Sequence, residues 1–230
     1  MRREHIYSKM RNRINFDKKY INLPRMLRCA RAIHEKGLPL EGCFGFIDGT
    51  VRPISRPVFG QESVYNGHHR VHALKYQSMI MADGIISSLW GPFPARNHDM
   101  RMLAESKILE NIEDILQNFE DPLYIYGDMG YSTSRYIISP FQGALSNEQR
   151  QFNLEMSRAR ETVKWGFKNF LQLFSFNRDK YNLKTGISPV GKYYSVSVIL
   201  TNCHNCCYPN QISQYFECLP SSLEEYLAEF

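Results

Sequence analysis

Two short apolar runs, each broken by an aspartate beside a glycine, constrain this chain more than any other feature. The first is Cys43-Phe44-Gly45-Phe46-Ile47, stopped by Asp48 and Gly49. The second is Leu123-Tyr124-Ile125-Tyr126, ended by Gly127 and Asp128. Runs of this length, rich in aromatic and β-branched residues and bounded by glycine, read as buried strands. Each strand therefore ends on a carboxylate. Such a charge is costly to desolvate unless a metal, a cation or a cluster of donors meets it. Taken alone, Asp48 reads equally well as the cap of a turn through Gly49 and Thr50. The second copy points to carboxylates converging at one sheet edge, where binding sites of open α/β sheets gather. Gathered carboxylates repel one another and attract a hard divalent cation, usually Mg²⁺. A pair of such ions is a common device for in-line displacement at phosphorus.

The 230 residues suffice for one good-sized domain with a small appendage. No apolar stretch is long enough to span a bilayer and no signal peptide opens the chain, so a soluble, intracellular protein with no membrane partner is expected. The net charge of +5 is unevenly placed: residues 1–36 hold 11 Lys/Arg against 3 Asp/Glu, and the remainder 17 against 20. A basic arm of this kind suits phosphate contact. The spacing of Ile21, Leu23, Met26, Leu27, Ala30 and Ile33 predicts an amphipathic helix there, with Arg25, Arg28 and Arg31 outside. A solvated helix accounts for the same charges.

Further along, Arg52, Pro53, Arg56 and Pro57 form a loop whose arginines suit either phosphate or the nearby acids. Val71 to Ala82 and Ile85 to Trp90 read as strands joined by an Asp83-Gly84 turn. Asp99 opens a helix, Met100–Leu116, as an N-cap. Tyr136 to Ile138 is extended, and Tyr193 to Leu200 reads as one further strand. The long helical region 147–176 carries an apolar stripe of Met156, Ala159, Val163, Phe167, Phe170 and Phe174. Leu223 to Phe230 reads as a short acidic helix. His68, His69 and His72 crowd one turn, and Cys203, His204, Cys206 and Cys207, with Cys218 further on, hint at zinc. The histidines lack a well-placed fourth ligand and the cysteines a second matching pair, so solvated histidines and reduced surface thiols are expected.

The segments GFIDGT, YNGHHRVHALKYQ, GPFPARNHDMRML, YGDMGY, MSRARETVKWGF and PVGKYYSVSVILTNC follow one another over roughly residues 37–208. In that order they resemble the DDE superfamily endonucleases, specifically the transposase-derived family with the Harbinger-type transposases. The resemblance implies an α/β, RNase H-like mixed sheet flanked by helices, spanning 41–210 between a basic helical arm, 1–40, and a tail, 211–230. Three antiparallel strands followed by a helix match the opening order of such a sheet. It also implies cleavage or transfer of DNA strands with two Mg²⁺ or Mn²⁺ ions. Asp48 and Asp128 are then catalytic metal ligands, with Asp99 close by in support. Arg52, Arg56, Arg158 and Arg160 are candidates to contact nucleic acid. DNA is the expected partner and the nucleus the favoured location, ahead of the cytoplasm. No helix-turn-helix module is evident, so base-specific binding falls to a separate protein or a further N-terminal part.

One departure stands out. Relatives carry a third acid on the long helix in a pattern resembling SRxRxxVEWxF, and that glutamate falls on Lys164. Glu161 is the substitute in sequence, entering the candidate catalytic and metal set beside Asp48 and Asp128. With the apolar stripe centred on Val163, Lys164 lies about 100° from it, beside the sheet, and Glu161 about 160° away, near solvent. Lys164 is thus expected to reach Asp48 or Asp128 and to compete with a metal. Two readings follow: a DDE nuclease, or a transposase relic that binds DNA or protein with weakened or no catalysis.

Overall fold

The computed structural model describes residues 2–67 and 69–228; of Arg2, Val163 and residues 167–169 it describes the backbone alone. Helices α1 (Arg2–Met10) and α2 (Leu23–Glu35) lead into β1 (Cys43–Pro53), the central strand. β1 does not stop at Gly49: its antiparallel pairing with β3 (Val71–Met81) runs from Gly45 opposite Met81 to Pro53 opposite Ala73. Asp48 therefore sits in mid-strand. The turn helix α3 (Gln61–Val64) and the two-residue β2 (Tyr65–Asn66) lie between them, β2 against the start of β3.

β3 turns through Asp83 and Gly84, the glycine at φ +77°, into antiparallel β4 (Ile86–Pro94). Helices α4 (Asp99–Ser106) and α5 (Ile108–Leu116) follow. The single helix expected there is broken at Lys107, whose φ of +54° is left-handed. Strands β5 (Tyr124–Tyr126) and β6 (Ile137–Ile138) then pair parallel, β5 on β1 and β6 on β5. The order β4-β3-β1-β5-β6, three antiparallel strands then two parallel, is the expected RNase H-like mixed sheet.

Helix α6 (Asn147–Leu173) opens with a capping box between Ser146 and Gln149. The expected strand at Tyr193–Leu200 is instead the middle of helix α7 (Val190–Cys207). Tyr194, Val196, Val198 and Ile199 are buried around most of its girth, so the segment shows no amphipathic period and its β-branched residues read as a strand. Ser195, Ser197 and Thr201 satisfy their hydroxyls by donating to the carbonyls of Gly191, Tyr193 and Ser197, which keeps them compatible with a buried helix. Asn202 closes the edge of β4, accepting from the Ile86 N–H and donating to its carbonyl, both at 2.9 Å. Short helices α8 (Gln211–Tyr215) and α9 (Leu223–Leu227) complete the chain. No helix is long and apolar enough to cross a membrane, among the described residues.

The basic arm is built into the fold. Ile14, Phe16, Ile21, Met26 and Ile33 share one core with the sheet and with Phe216 and Tyr226. Arg25, expected outside, is 5% exposed and pairs with the buried Asp83 carboxylate of the β3–β4 turn. It sits in the first turn of α2, where Asn22 caps its N–H, and its length carries the guanidinium across the Tyr20 ring to that turn. Arg13 is likewise buried, paired with Asp17 and donating to the Ala228 carbonyl.

Candidate active centre

Register brings the first two acids together. Phe46 of β1 pairs in parallel with Tyr126 of β5, so Asp48 and Asp128 each follow two residues later at one level. Neighbouring strands lie about 4.8 Å apart. Asp48 Oδ1 accepts from the Gly49 N–H at 3.0 Å, and Asp128 Oδ1 from the Gly130 N–H at 2.8 Å.

Asp99 joins them because two glycines make room. A Cβ on Gly49 would lie 2.3 Å from Asp99 Oδ1, and one on Gly130 would lie 3.3 Å from Asp99 Oδ2. The carboxylate thus rests on the backbone beside Asp48 and beside Asp128. Asp99 is the first residue of α4, with His98 as the N-cap; it is not the cap itself. Lys75 and Gln77, on one face of β3, hold it: the ammonium reaches Asp99 Oδ2 at 2.9 Å, and the amide donates to its carbonyl at 3.3 Å. Gln77 also donates to the Tyr131 hydroxyl at 3.1 Å. Asp99 Oδ1 is buried with no hydrogen-bond partner.

Electrostatics register the crowding. The Asp48 carboxyl is pushed up to about 6, first by burial and then by Asp128 and Asp99, against the pull of Arg160. Burial, Asp99, Asp48 and Asp128 drive the Tyr131 hydroxyl well above its ordinary value, opposed by its bond to Gln77. Three carboxylates face two cations.

The second cation corrects the expectation for α6. Its buried face runs through Met156, Ala159, Thr162 and Phe170, with Gly166 packed toward Ile80 and Ile212; the side chains of Val163 and Phe167 lie outside the described residues. That stripe centres near Ala159, about 40° from Val163. The flank about 100° from the centre then belongs to Arg160, while Lys164 moves to about 140°. Arg160 Nη1 accordingly stands 3.5 Å from Asp128 Oδ2, and Lys164 pairs in solvent with Glu161 at 2.5 Å. Glu161, fully exposed and lowered in pKa by that pairing, stays outside the cluster, as its helix position indicated. The acids are met by an arginine four residues before the expected lysine.

The other candidates disperse. Arg52 donates to the Tyr194 hydroxyl at 3.1 Å and lies over Phe170, tied into the packing of α6 on α7. Arg56 bonds Gln61 on the surface, and Arg158 is exposed. His68 lies outside the described residues. Cys203, Cys206 and Cys207 fall on the last turns of α7 rather than in a loop, and Cys218 is buried against Cys29. Lys75, Gln77 and Tyr131 were missed in the sequence. The signal for the first two was a pair of polar residues two apart on a face of β3 that is otherwise apolar.

A family model described as DDE superfamily endonuclease matches residues 47–202, from beside Asp48 to beyond α6. The chain belongs to the DDE superfamily endonucleases. The Harbinger-type resemblance is consistent with that membership. No curated protein and no solved structure matches the chain significantly.

Members of this family generally work with divalent metals, so the centre can be tested against Mg²⁺. The hard oxygen donors suit it. The arrangement does not: Asp99 Oδ2 is held by Lys75 and Asp128 Oδ2 faces Arg160. Among the described residues no three His, Cys, Asp or Glu side chains are grouped closely enough to hold an ion. As it stands, an ammonium and a guanidinium occupy the approach to two of the acid oxygens, while Asp99 Oδ1 stays unpartnered.

Proposed function

We propose that this chain is a transposase-derived DNA-binding domain of the endonuclease family whose strand-cleaving centre is self-neutralised. The observation that carries the reading is Arg160, a cation on the long helix 3.5 Å from Asp128, in a centre where no acid of α6 joins Asp48, Asp99 and Asp128. A guanidinium cannot be deprotonated away, so it persistently opposes a divalent ion beside it. Lys75 does the same for Asp99. What remains is a sheet edge and a set of basic loops suited to a phosphate backbone.

A second reading, an active metal-dependent nuclease with Asp48, Asp99 and Asp128 as ligands, is favoured by the unpartnered Asp99 Oδ1 and the raised Asp48 carboxyl. Titration of the protein with Mg²⁺ and Mn²⁺ by calorimetry, beside a nicking assay on supercoiled plasmid and anisotropy with labelled DNA, separates the two. The first reading expects DNA binding without saturable metal binding in the millimolar range or strand cleavage. Sub-millimolar metal binding with nicking that Asp128→Asn abolishes would establish the second. Absence of any DNA binding would sink both.

A further inference from the structure

Away from the acids, the loop that leaves β1 at Ile54 and the loop before α7 are laced together. The Ser55 N–H donates to the Leu183 carbonyl at 3.1 Å, and its hydroxyl to the Lys180 carbonyl at 2.8 Å. At their tips Pro57, Val58, Phe59, Thr185, Gly186 and Ile187 line one shallow cavity of about 310 Å³. Val58 is 79% exposed, Phe59 88% and Ile187 82%, and Tyr181 on the second loop 68%. Single exposed apolar residues are ordinary, but a contiguous group this prominent marks an interaction site.

The charge around the group is mainly positive. Residues 55–62 carry Arg56 against Glu62, Arg52 being drawn into the packing of α6 on α7; residues 178–192 carry Arg178, Lys180, Lys184 and Lys192 against Asp179. Asp179 is spent as a cap, accepting from the Tyr181 N–H at 2.9 Å, and Lys192 is paired with Glu4. Lys180 lies over the Tyr181 ring, its ammonium 5.2 Å from the centroid. Projecting rings within a surplus of cations match an occupant that offers flat apolar faces joined by anions.

We propose that these two loops form a stacking platform for unpaired DNA bases, with Phe59 as the principal face and Arg56, Lys180 and Lys184 meeting the phosphates. The proposal rests on the reading that the chain binds DNA. Unpaired strands are specified because duplex bases already stack on each other and leave no face for a protruding ring. The platform is distinct from the acid centre: five residue steps along β1, roughly 17 Å of strand, lead from Asp48 to Pro53, where the strand ends. A strand bound at the acids would thus reach the platform only several nucleotides away.

The test is fluorescence anisotropy of the full chain with a labelled oligothymidylate of about 20 nucleotides and with a duplex of equal length. Phe59→Ala is expected to weaken single-strand binding by roughly 5- to 150-fold and to leave duplex binding within about twofold. Lys180→Gln with Lys184→Gln is expected to flatten the slope of log affinity against log salt by about 1.4 for the single strand. Phe59 is exposed, so an unchanged urea midpoint in Phe59→Ala certifies the fold. Unchanged single-strand affinity in that variant, or an equal loss for duplex, overturns the platform while DNA binding stands. If the wild-type chain binds neither oligonucleotide, the DNA reading falls and takes the platform with it. A concentration-dependent dimer in sedimentation that Phe59→Ala dissolves would instead make the patch a face between copies of this chain.

Discussion

In Asp48→Asn a carboxylate is exchanged for an amide of nearly the same shape, whose oxygen still accepts the Gly49 N–H. The carboxyl titrates at about 6 in the folded chain against 3.8 ordinarily, because burial and the neighbouring Asp128 and Asp99 disfavour its ionised form. Below about pH 4 it is protonated in both folded and unfolded chains and costs nothing. Between about pH 4 and 6 the unfolded chain ionises first, so stability falls as pH rises. Above about pH 6 the full penalty of about 3 kcal/mol is in place. The amide carries no such penalty. Urea unfolding in EDTA at about pH 7.5 should therefore find Asp48→Asn more stable by about 2–3 kcal/mol, with the gain gone near pH 4. A variant less stable at both pH values, or equally more stable at both, would refute the reasoning, since neither outcome follows from the ionisation of Asp48.

Arg160→Gln should alter stability by no more than about 1 kcal/mol, because the pair is long and partly exposed, yet strengthen Mg²⁺ binding roughly tenfold or more in calorimetry. Lys164→Glu should leave metal affinity within about twofold, since Lys164 is engaged with Glu161 in solvent. Gly49→Ala should destabilise by about 1–3 kcal/mol in urea titration, because its Cβ displaces the Asp99 carboxylate. Arg25→Met should cost about 3–5 kcal/mol, leaving the buried Asp83 carboxylate without its principal partner.

The sheet was legible because its strands differ from their surroundings in ways a linear pattern records. Gly84 and Asp83 announce the β3–β4 turn, and the runs into Tyr126 and Ile138 are short and apolar. What failed was decided by environment. Helix α7 is buried nearly all round, so the period that betrays a helix is missing and its β-branched residues suggest a strand. β1 continues past Gly49 because β3 pairs with it there, a long-range fact no local glycine rule contains. Arg25 went inside because a turn some sixty residues away offers it a carboxylate.

The centre was half legible for a sharper reason. Asp48 and Asp128 are placed by parallel register, and an Asp-Gly and a Gly-Asp pair, each just past a short apolar run, record that register in the sequence. The cations that meet them are placed by packing. Lys75 reaches Asp99 only because Gly49 and Gly130 let that carboxylate lie on the backbone. On α6 the choice between Arg160 and Lys164 turns on a helix phase of about 40°, the difference between a stripe centred on Val163 and one centred on Ala159. Thr162 and Gly166 make that difference. Neither is apolar enough to enter a hydrophobic stripe, yet Thr162 is buried by donating its hydroxyl to the Ala159 carbonyl, and Gly166 lets Ile80 and Ile212 approach the helix. A small residue and a self-satisfied hydroxyl thus turn the helix, and with it they decide which charge faces the acids.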